Sequence, residues 1–287
     1  MRIAVCVKWV PDPEFPLQAT SAGLSLESPG LVHMTDPIDM VACEAAVRLK
    51  EQSAGNVSVL TVASADAGAG LRSALALGGD EAVRIEPPEW EFGGSVRAGR
   101  LLAAAISRSP VDLVICGARS SDSGSGAVPA VIAEALGLPL VTNVIAIGSG
   151  SPLQVTRRIG GGRRQVVEIA GPAVLGVEPS LCDPRYPSVV ARTRAAKAAV
   201  TTLTAAELGV TLPPPALTLT RLQGPRPNTT RIIYPPQEAA ARDRLRYILA
   251  GGPDQKRSSS RLDGPVSAQA DQLLAYLRES GALATAG

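Results

Sequence analysis

Residues 112–141 constrain the fold most. Residues 111–116 form an apolar run interrupted only by Asp112, the pattern of a strand buried on both faces. Residues 117–126 are rich in Gly and Ser and carry one carboxylate, Asp122. Val128, Val131, Ile132, Ala135 and Leu136 then recur at helical spacing, with Gly137 as a stop and Pro139 just beyond. A parallel strand that feeds a small-residue loop and a helix start makes a seat for a phosphate. Backbone N–H groups approach an anion closely there, and the helix N-terminus favours negative charge. Pattern alone leaves an ordinary βα turn equally open.

The same alternation fills the first half of the chain. Residues 2–10 read as a first strand, ended by Pro11, Asp12 and Pro13. Residues 15–34, with Gly23 and the Pro29–Gly30 pair, read as an extended excursion or hairpin. Residues 35–51 predict a helix: Asp36 suits the cap, Pro37 the first turn, and Asp39 adds favourable charge. Its buried face is Ile38, Val41, Ala42, Ala45 and Leu49. Whether Asp36 and Asp39 only cap this helix or also face a ligand stays open at this level.

Residues 57–63 predict a second strand, followed by the small, polar residues 64–70 and a helix from Leu71 to Gly78–Gly79. Residues 82–85 predict a third strand and, past Pro87–Pro88, residues 96–107 a helix. Repeated strand–helix alternation implies a doubly wound parallel sheet, with ligands outside the carboxyl ends of the strands. The loops at those ends are 8–13, 64–67 and 117–126.

After a fifth strand at 140–147 the period changes. Residues 153–159 and 163–169 flank Gly160-Gly161-Gly162, a hairpin signal. Residues 172–178 read as a buried strand, 179–186 as a loop, and 189–200 as a basic helix bearing Arg192, Arg194 and Lys197. Arg157, Arg158, Arg163 and Arg164 place positive charge on the hairpin. Further on, 204–208 reads as a short capped helix, 217–222 as an edge strand, and 237–249 as a helix ended by Gly251–Gly252. Residues 255–261 read as a polar linker and 266–277 as an amphipathic helix with Leu273, Leu274 and Leu277 on one face.

Composition excludes several classes. With 28 basic and 26 acidic residues the net charge is +2, too little for a nucleic-acid-binding field. No run approaches the ~20 apolar residues of a membrane span, so an integral membrane protein is not expected. Lys8 interrupts the apolar start, which is too short for a signal peptide. Cys6, Cys43, Cys116 and Cys182 are far apart and form no CxxC pair, which fits reduced thiols and a cytoplasmic location. His33 is the only histidine, so neither a His-based triad nor a metal site is expected.

The motifs together resemble the β subunit of electron transfer flavoproteins. They are VKWVPD (7–12), TDPIDMVACEAAVRLKE (35–51), LRSALALGGDEAV (71–83), the long stretch from DLVICG to GLP (112–139), RRIGGGRRQVVEIAGPAVLGVE (157–178) and DPRYPSVVARTRAAK (183–197). Their order and spacing carry the resemblance, which runs from about residue 2 to about 210. It implies an adenine nucleotide alpha hydrolase-like α/β domain over 1–200, with hairpin 153–170 and docking loop 179–197. It also implies that the C-terminal arm over 201–287 reaches the α subunit through helix 237–250; helix 266–280 has no family counterpart and is expected to contact the α subunit as well. By the same resemblance the chain is an electron carrier rather than an enzyme. FAD is held mainly by the α subunit, and AMP, or a second FAD in the bifurcating type, is buried in this chain. Flavin-dependent dehydrogenases donate electrons, and a quinone reductase or another acceptor receives them.

Carried over residue by residue, the nucleotide contacts fall on Cys6, Asp36, Asp39 and Ser64. They continue along Gly117, Ala118, Arg119, Ser120, Ser121, Asp122, Ser123, Gly124, Ser125, Gly126, Ala127 and Val128. The docking contacts fall on Arg185, Tyr186, Val189, Arg192 and Arg194, with Val189 at the position of the family's apolar anchor. Asp36 stands where the family usually has Asn, and residues 123–127 are small and neutral where its loop is commonly acid-rich. Outside the family, a stand-alone adenine-nucleotide-binding regulator is the rival reading. An ATP-pyrophosphatase-like enzyme calls for an SGGxDS loop after the first strand, where this chain has Lys8-Trp9-Val10-Pro11.

Overall fold

Strands buried on both faces need two apolar layers, and the residues of this chain alternate between them. The computed structural model describes residues 1–15, 17, 30–87, 94–214, 220–221, 240–249 and 262–279. Two units divide the chain, Met1–Pro225 and Arg226–Gly287. In the first, β1 (Arg2–Cys6), β2 (Trp9–Pro11), β3 (His33–Thr35), α1 (Pro37–Ser53) and β4 (Asn56–Val62) are followed by α2 (Gly68–Leu77), β5 (Glu81–Glu86) and α3 (Ser95–Ile106). Then come β6 (Leu113–Gly117), α4 (Val128–Leu136), β7 (Leu140–Ile147), β8 (Leu153–Gly160), β9 (Arg163–Ile169), β10 (Ala173–Val177), α5 (Val189–Ala196) and β11 (Thr201–Thr204). The second unit contains α6 (Ala241–Leu249) and α7 (Val266–Glu279).

Ile3, Val5, Val57, Val59, Leu113 and Ile115 join one core with Ala42, Ala46 and Leu49 of α1 and Leu71 and Ala74 of α2. The intervening Ala4, Cys6, Leu60, Val114 and Cys116 join the opposite core with Leu101, Leu102 and Ile106 of α3 and Ile132 and Ala133 of α4. Each fully buried aliphatic side chain contributes about 1.5–3 kcal/mol. Helices therefore cover both faces, as the alternation predicts.

The sheet has nine strands in the order β11-β5-β4-β1-β6-β10-β7-β8-β9. Pairing is parallel from β11 through β7 and antiparallel across β7, β8 and β9, which gives the added hairpin. The chain steps outward from β1 to β4 and β5, then returns to lay β6 on the other side of β1. That reversal is a topological switch point, where the strand-end loops diverge and leave a crevice.

Several elements differ from their sequence expectation. The strand predicted over 2–10 breaks after Cys6, and residues 9–11 pair antiparallel with His33–Thr35 in a separate two-stranded sheet. The break falls at Lys8, whose N–H turns away to a side chain of α1. Between these paired strands, residues 16 and 18–29 of the predicted excursion lie outside the described residues. The helix predicted over 189–200 stops at Ala196, and Thr201–Thr204 instead extends the sheet as an edge strand beside β5. Its threonines favour that extended backbone. The 204–208 segment is a single turn closed reciprocally: Thr204 N–H donates to Glu207 Oε2 (2.7 Å) and Glu207 N–H to Thr204 Oγ1 (3.2 Å). Most of the 217–222 strand, both ends of the 237–250 helix and the 255–261 linker lie outside the described residues.

Candidate functional site

The crevice is built around two aspartates. Cys6 and Cys116 lie side by side where β1 and β6 approach their carboxyl ends, and α1 begins above them. Asp39 Oδ2 accepts from Lys8 N–H (2.7 Å) and Asp39 Oδ1 from Gly117 N–H (3.0 Å). One carboxylate thus clasps the ends of both strands. Asp36 Oδ1 caps α1 through Ile38 N–H (3.1 Å), as predicted, while Oδ2 accepts from Ser121 N–H (2.6 Å) and Ser121 Oγ (2.9 Å). The capping group therefore also pins the Gly/Ser loop. Both carboxylates are buried. Burial, reinforced by the Asp36 charge, pushes Asp39 up to about 7, although the Lys8 and Gly117 N–H groups pull it down.

The loop between β6 and α4 gathers hydroxyls around one ion pair. Lys8 Nζ lies 2.6 Å from Asp122 Oδ1, 3.3 Å from Ser120 Oγ and 3.4 Å from Ser123 Oγ. Burial raises the Asp122 pKa, but the Lys8 ammonium and the Ser120 hydroxyl together outweigh it and hold the carboxyl below its ordinary value. Ser125 Oγ meets Ser95 Oγ at 2.8 Å, which ties the far end of the loop to α3. Gly124 and Gly126 adopt φ of +62° and +63°, the left-handed region that glycine enters freely. Residues 121–126 are exposed, and Ala127 at the N-cap of α4 gives its first turn no side-chain acceptor. Pro129 has no N–H, so the first turn of α4 can donate to an anion through the Val128 and Ala130 N–H groups. A nucleotide phosphate fits this donor set.

Ser64 sits at the end of β4, and its hydroxyl donates to Asp66. Asp66 also accepts from Trp9 Nε1 (3.0 Å), and the Trp9 ring stacks on His33 with centroids 6.1 Å apart. The Ser64 hydroxyl, aided by Trp9, holds Asp66 below its ordinary pKa against burial. Cys6 is buried, and the neighbouring Cys6 side chain together with burial raises the pKa of the Cys116 thiol. Cys6, Asp36, Asp39 and residues 117–128 are thus brought together, with Ser64 beside them at the next strand end. Ala118 is half-buried and Arg119 exposed.

The predicted docking residues divide in two. Tyr186 and Val189 are 88% and 76% exposed, Val190 is 78% exposed, and Arg192 and Arg194 lie on the exposed face of α5. Arg185 turns inward to Glu44 (2.9 Å) and Glu51 (2.6 Å) of α1. On the hairpin, Arg158 pairs with Glu178 at 3.1 Å, Arg157 donates to Thr142, and Arg163 and Arg164 are exposed. The sequence places Lys8, Trp9 and Asp66 only within strand-end loops 8–13 and 64–67, without a role, and leaves Thr35, Glu44 and Glu51 out of the site. For Lys8 a signal exists: it follows β1 by two residues, where a strand-end side chain overhangs the crevice.

A doubly wound parallel sheet with an open helix start and a hydroxyl-rich loop at its switch point defines an α/β protein with its crevice at the carboxyl ends of the strands. The family model for the electron transfer flavoprotein domain matches residues 30–208. The chain is 34% identical over 216 residues to the electron transfer flavoprotein subunit beta of Mycobacterium tuberculosis, covering 73% of this chain and 81% of that protein. It is 33% identical over 210 residues to the subunit of the same name from Syntrophomonas wolfei, covering 72% and 81%. It is 31% identical over 192 residues to the acryloyl-CoA reductase electron transfer subunit gamma of Anaerotignum propionicum, covering 65% and 71%. The chain belongs to the electron transfer flavoprotein β-subunit family. Among the described residues no helix is long and apolar enough to cross a membrane.

Proposed function

We propose that this chain is the β subunit of a heterodimeric electron transfer flavoprotein of the cytoplasm. It relays electrons from flavin-dependent dehydrogenases to a quinone reductase or another acceptor, as a carrier rather than a catalyst. The α subunit holds most of the FAD, and this chain closes one side of that site and buries AMP in its own crevice. The observation that carries the reading is the uncapped N-terminus of α4 above a loop that Asp36, Asp39 and Lys8 hold in place. Ser64 and residues 117–128 would hold the nucleotide, over a floor formed by Cys6.

Bound flavin would supply the redox chemistry, one- and two-electron cycling. The protein's part is to position it and exclude water. The exposed Arg163 and Arg164 are suited to place positive charge at the subunit interface. The arm supports an α-subunit contact: Leu245, Ile248 and Leu249 of α6 and Val266, Leu273 and Leu274 of α7 are all exposed, an unusual cost unless a partner covers them. Tyr186, Val189, Arg192 and Arg194 dock the dehydrogenase. The Anaerotignum relative, named for an acryloyl-CoA reductase, supports a flavin enzyme acting on acyl-CoA as that partner.

A second reading replaces AMP with a second FAD. Residues 123–126 are small and exposed, and nothing stands within 4 Å of where a Cβ on Gly124 would be. Chromatography of the nucleotides released by denaturing the complex with its α subunit tests both. One FAD and one AMP per heterodimer establish the plain carrier, and two FAD establish the second reading. If neither a complex nor flavin is obtained, the carrier reading fails and the stand-alone regulator replaces it.

A further inference from the structure

We propose that Arg185 is a positioning residue whose ion pairs with Glu44 and Glu51 of α1 hold Tyr186, Val189 and Val190 in place for a flavin acyl-CoA dehydrogenase. This rests on the electron-carrier reading above and assigns the docking segment its support.

Glu44 is 1% exposed, yet it lies mid-helix among apolar neighbours. A lone carboxylate there is expensive, and this one is fully engaged. Its two oxygens accept from Arg185 N–H (3.2 Å), Nε (2.9 Å) and Nη2 (3.2 Å), and from Arg48 Nε (2.6 Å). Glu51, two turns further along α1, accepts from Arg185 Nη1 (2.6 Å) and Nη2 (3.0 Å). Every nitrogen of the guanidinium is therefore used, in the fork geometry that lysine does not reproduce.

Neighbouring residues are tied to the same helix. Arg48 Nη2 donates to the Asp183 carbonyl (3.0 Å), and Cys182 Sγ approaches the Val41 carbonyl at 3.7 Å. The chain from Cys182 to Arg185 is stapled to α1, and the very next residue, Tyr186, is the most exposed large apolar side chain described. Ser188 then caps α5 through Ala191 N–H (3.1 Å), so Val189 and Val190 start a helix whose entry is fixed on both sides. A segment held this way presents apolar groups without first losing their freedom at the moment of docking, which lowers the entropic cost of association.

The surface so presented fits one kind of occupant. Tyr186, Val189 and Val190 make an apolar anchor, and Arg192, Arg194 and Lys197 beside it are exposed. A partner with an apolar pocket and an acidic rim complements both. The Anaerotignum relative is named for an acryloyl-CoA reductase, which supports an enzyme acting on an acyl-CoA among such partners.

The test uses the complex of this chain with its α subunit as electron acceptor for a purified FAD-containing acyl-CoA dehydrogenase. Arg185→Gln is expected to raise the KM for the complex about tenfold, with kcat and bound FAD unchanged. Hydrogen exchange at residues 182–190 is expected to rise in the same variant. Arg185→Lys restores only part of the KM. Val189→Asp raises KM while exchange at 182–190 stays at the wild-type level. The double variant Glu44→Gln/Arg185→Gln, which leaves no uncompensated buried charge, keeps the high KM with the fold intact. A wild-type KM in Arg185→Gln overturns the proposal. So does a raised KM with unchanged exchange, which makes Arg185 a direct contact. If the wild-type complex takes no electrons from the dehydrogenase, the docking reading itself fails, and the proposal with it.

Discussion

Asp39 Oδ1 accepts a 3.0 Å hydrogen bond from the backbone N–H of Gly117, 78 residues further along the chain. Its other oxygen takes Lys8 N–H at 2.7 Å. Two neighbouring parallel strands therefore end on one side chain of α1, and the width of the crevice between their loops follows from where that helix starts.

Gly117 has no room for a side chain. An ideal Cβ there would stand 2.5 Å from Asp39 Oδ1 and 2.5 Å from Ile38 Cγ2. Gly117→Ala is expected to destabilise the protein by about 1–3 kcal/mol through overpacking and to push α1 away from β6. Chemical denaturation reports the first effect. The nucleotide content of the purified complex reports the second, and unchanged content would separate the clasp from ligand binding.

The Asp39 carboxyl also sets a pH dependence. Its pKa is raised from 3.8 to about 7 by burial and by Asp36. Between those values the folded state keeps a proton that the unfolded state has released. The stability contributed is full below the unfolded value and is lost as pH rises through about 7. Unfolding free energy is therefore expected to fall from pH 5.5 to about pH 7, with a limiting slope of about 1.4 kcal/mol per pH unit, and the melting temperature falls with it. Lys8, Asp36, Cys43 and Cys116 face the same carboxyl. Glu44, Glu51, Asp66 and Asp122 are all lowered and act at more acidic pH, where their contribution is lost as pH falls. Asp39→Asn lowers absolute stability, because its amide opposes a backbone N–H, but flattens the slope. A slope that survives this substitution assigns the effect elsewhere.

Local chemistry was legible in the residues. Asp36 and Pro37 mark the start of α1, and Gly137 in the left-handed conformation (φ +64°) closes α4. The apolar run 111–116 reads as a strand buried on both faces, and the strand formed is Leu113–Gly117, buried throughout. What stayed hidden depends on partners distant in sequence. The break after Cys6 needs Asp39, 31 residues beyond Lys8. The inward turn of Arg185 needs Glu44, 141 residues before it. The edge strand Thr201–Thr204 is specified by β5 across the sheet rather than by its own weak alternation. The Asp36 contact to Ser121 is intermediate: a cap was visible, but its second oxygen was not.

The two left-handed loop glycines are expected to behave differently on substitution. A Cβ on Gly124 meets nothing within 4 Å, so Gly124→Ala carries only the conformational penalty of about 1 kcal/mol. A Cβ on Gly126 comes within 3.1 Å of the Ala118 carbonyl oxygen, which adds a backbone clash immediately before α4. Gly126→Ala should therefore reduce nucleotide retention while Gly124→Ala largely preserves it. Equal losses in titrations of the two variants would mean that the helix start is not where the ligand sits.

Lys8 carries the remaining balance of charge in the crevice. Asp36, Asp39 and Asp122 surround a site read as accepting an anion, and Lys8 Nζ, 2.6 Å from Asp122, is the cation that reaches into the loop. Its side chain is 36% exposed and that of Asp122 31%, so salt screens the pair substantially. Lys8→Met removes the ammonium and also frees Asp122 to return toward its ordinary pKa. Affinity for AMP in the complex stripped of nucleotide should fall about tenfold, and its dependence on salt should weaken. Asp122→Asn removes a negative charge beside the ligand and leaves Lys8 available, so affinity should hold or rise. Calorimetric titration of AMP at low and high salt checks both variants. Wild-type affinity in Lys8→Met would move the phosphate away from Lys8 and leave Arg119 and the first turn of α4 as its anchors.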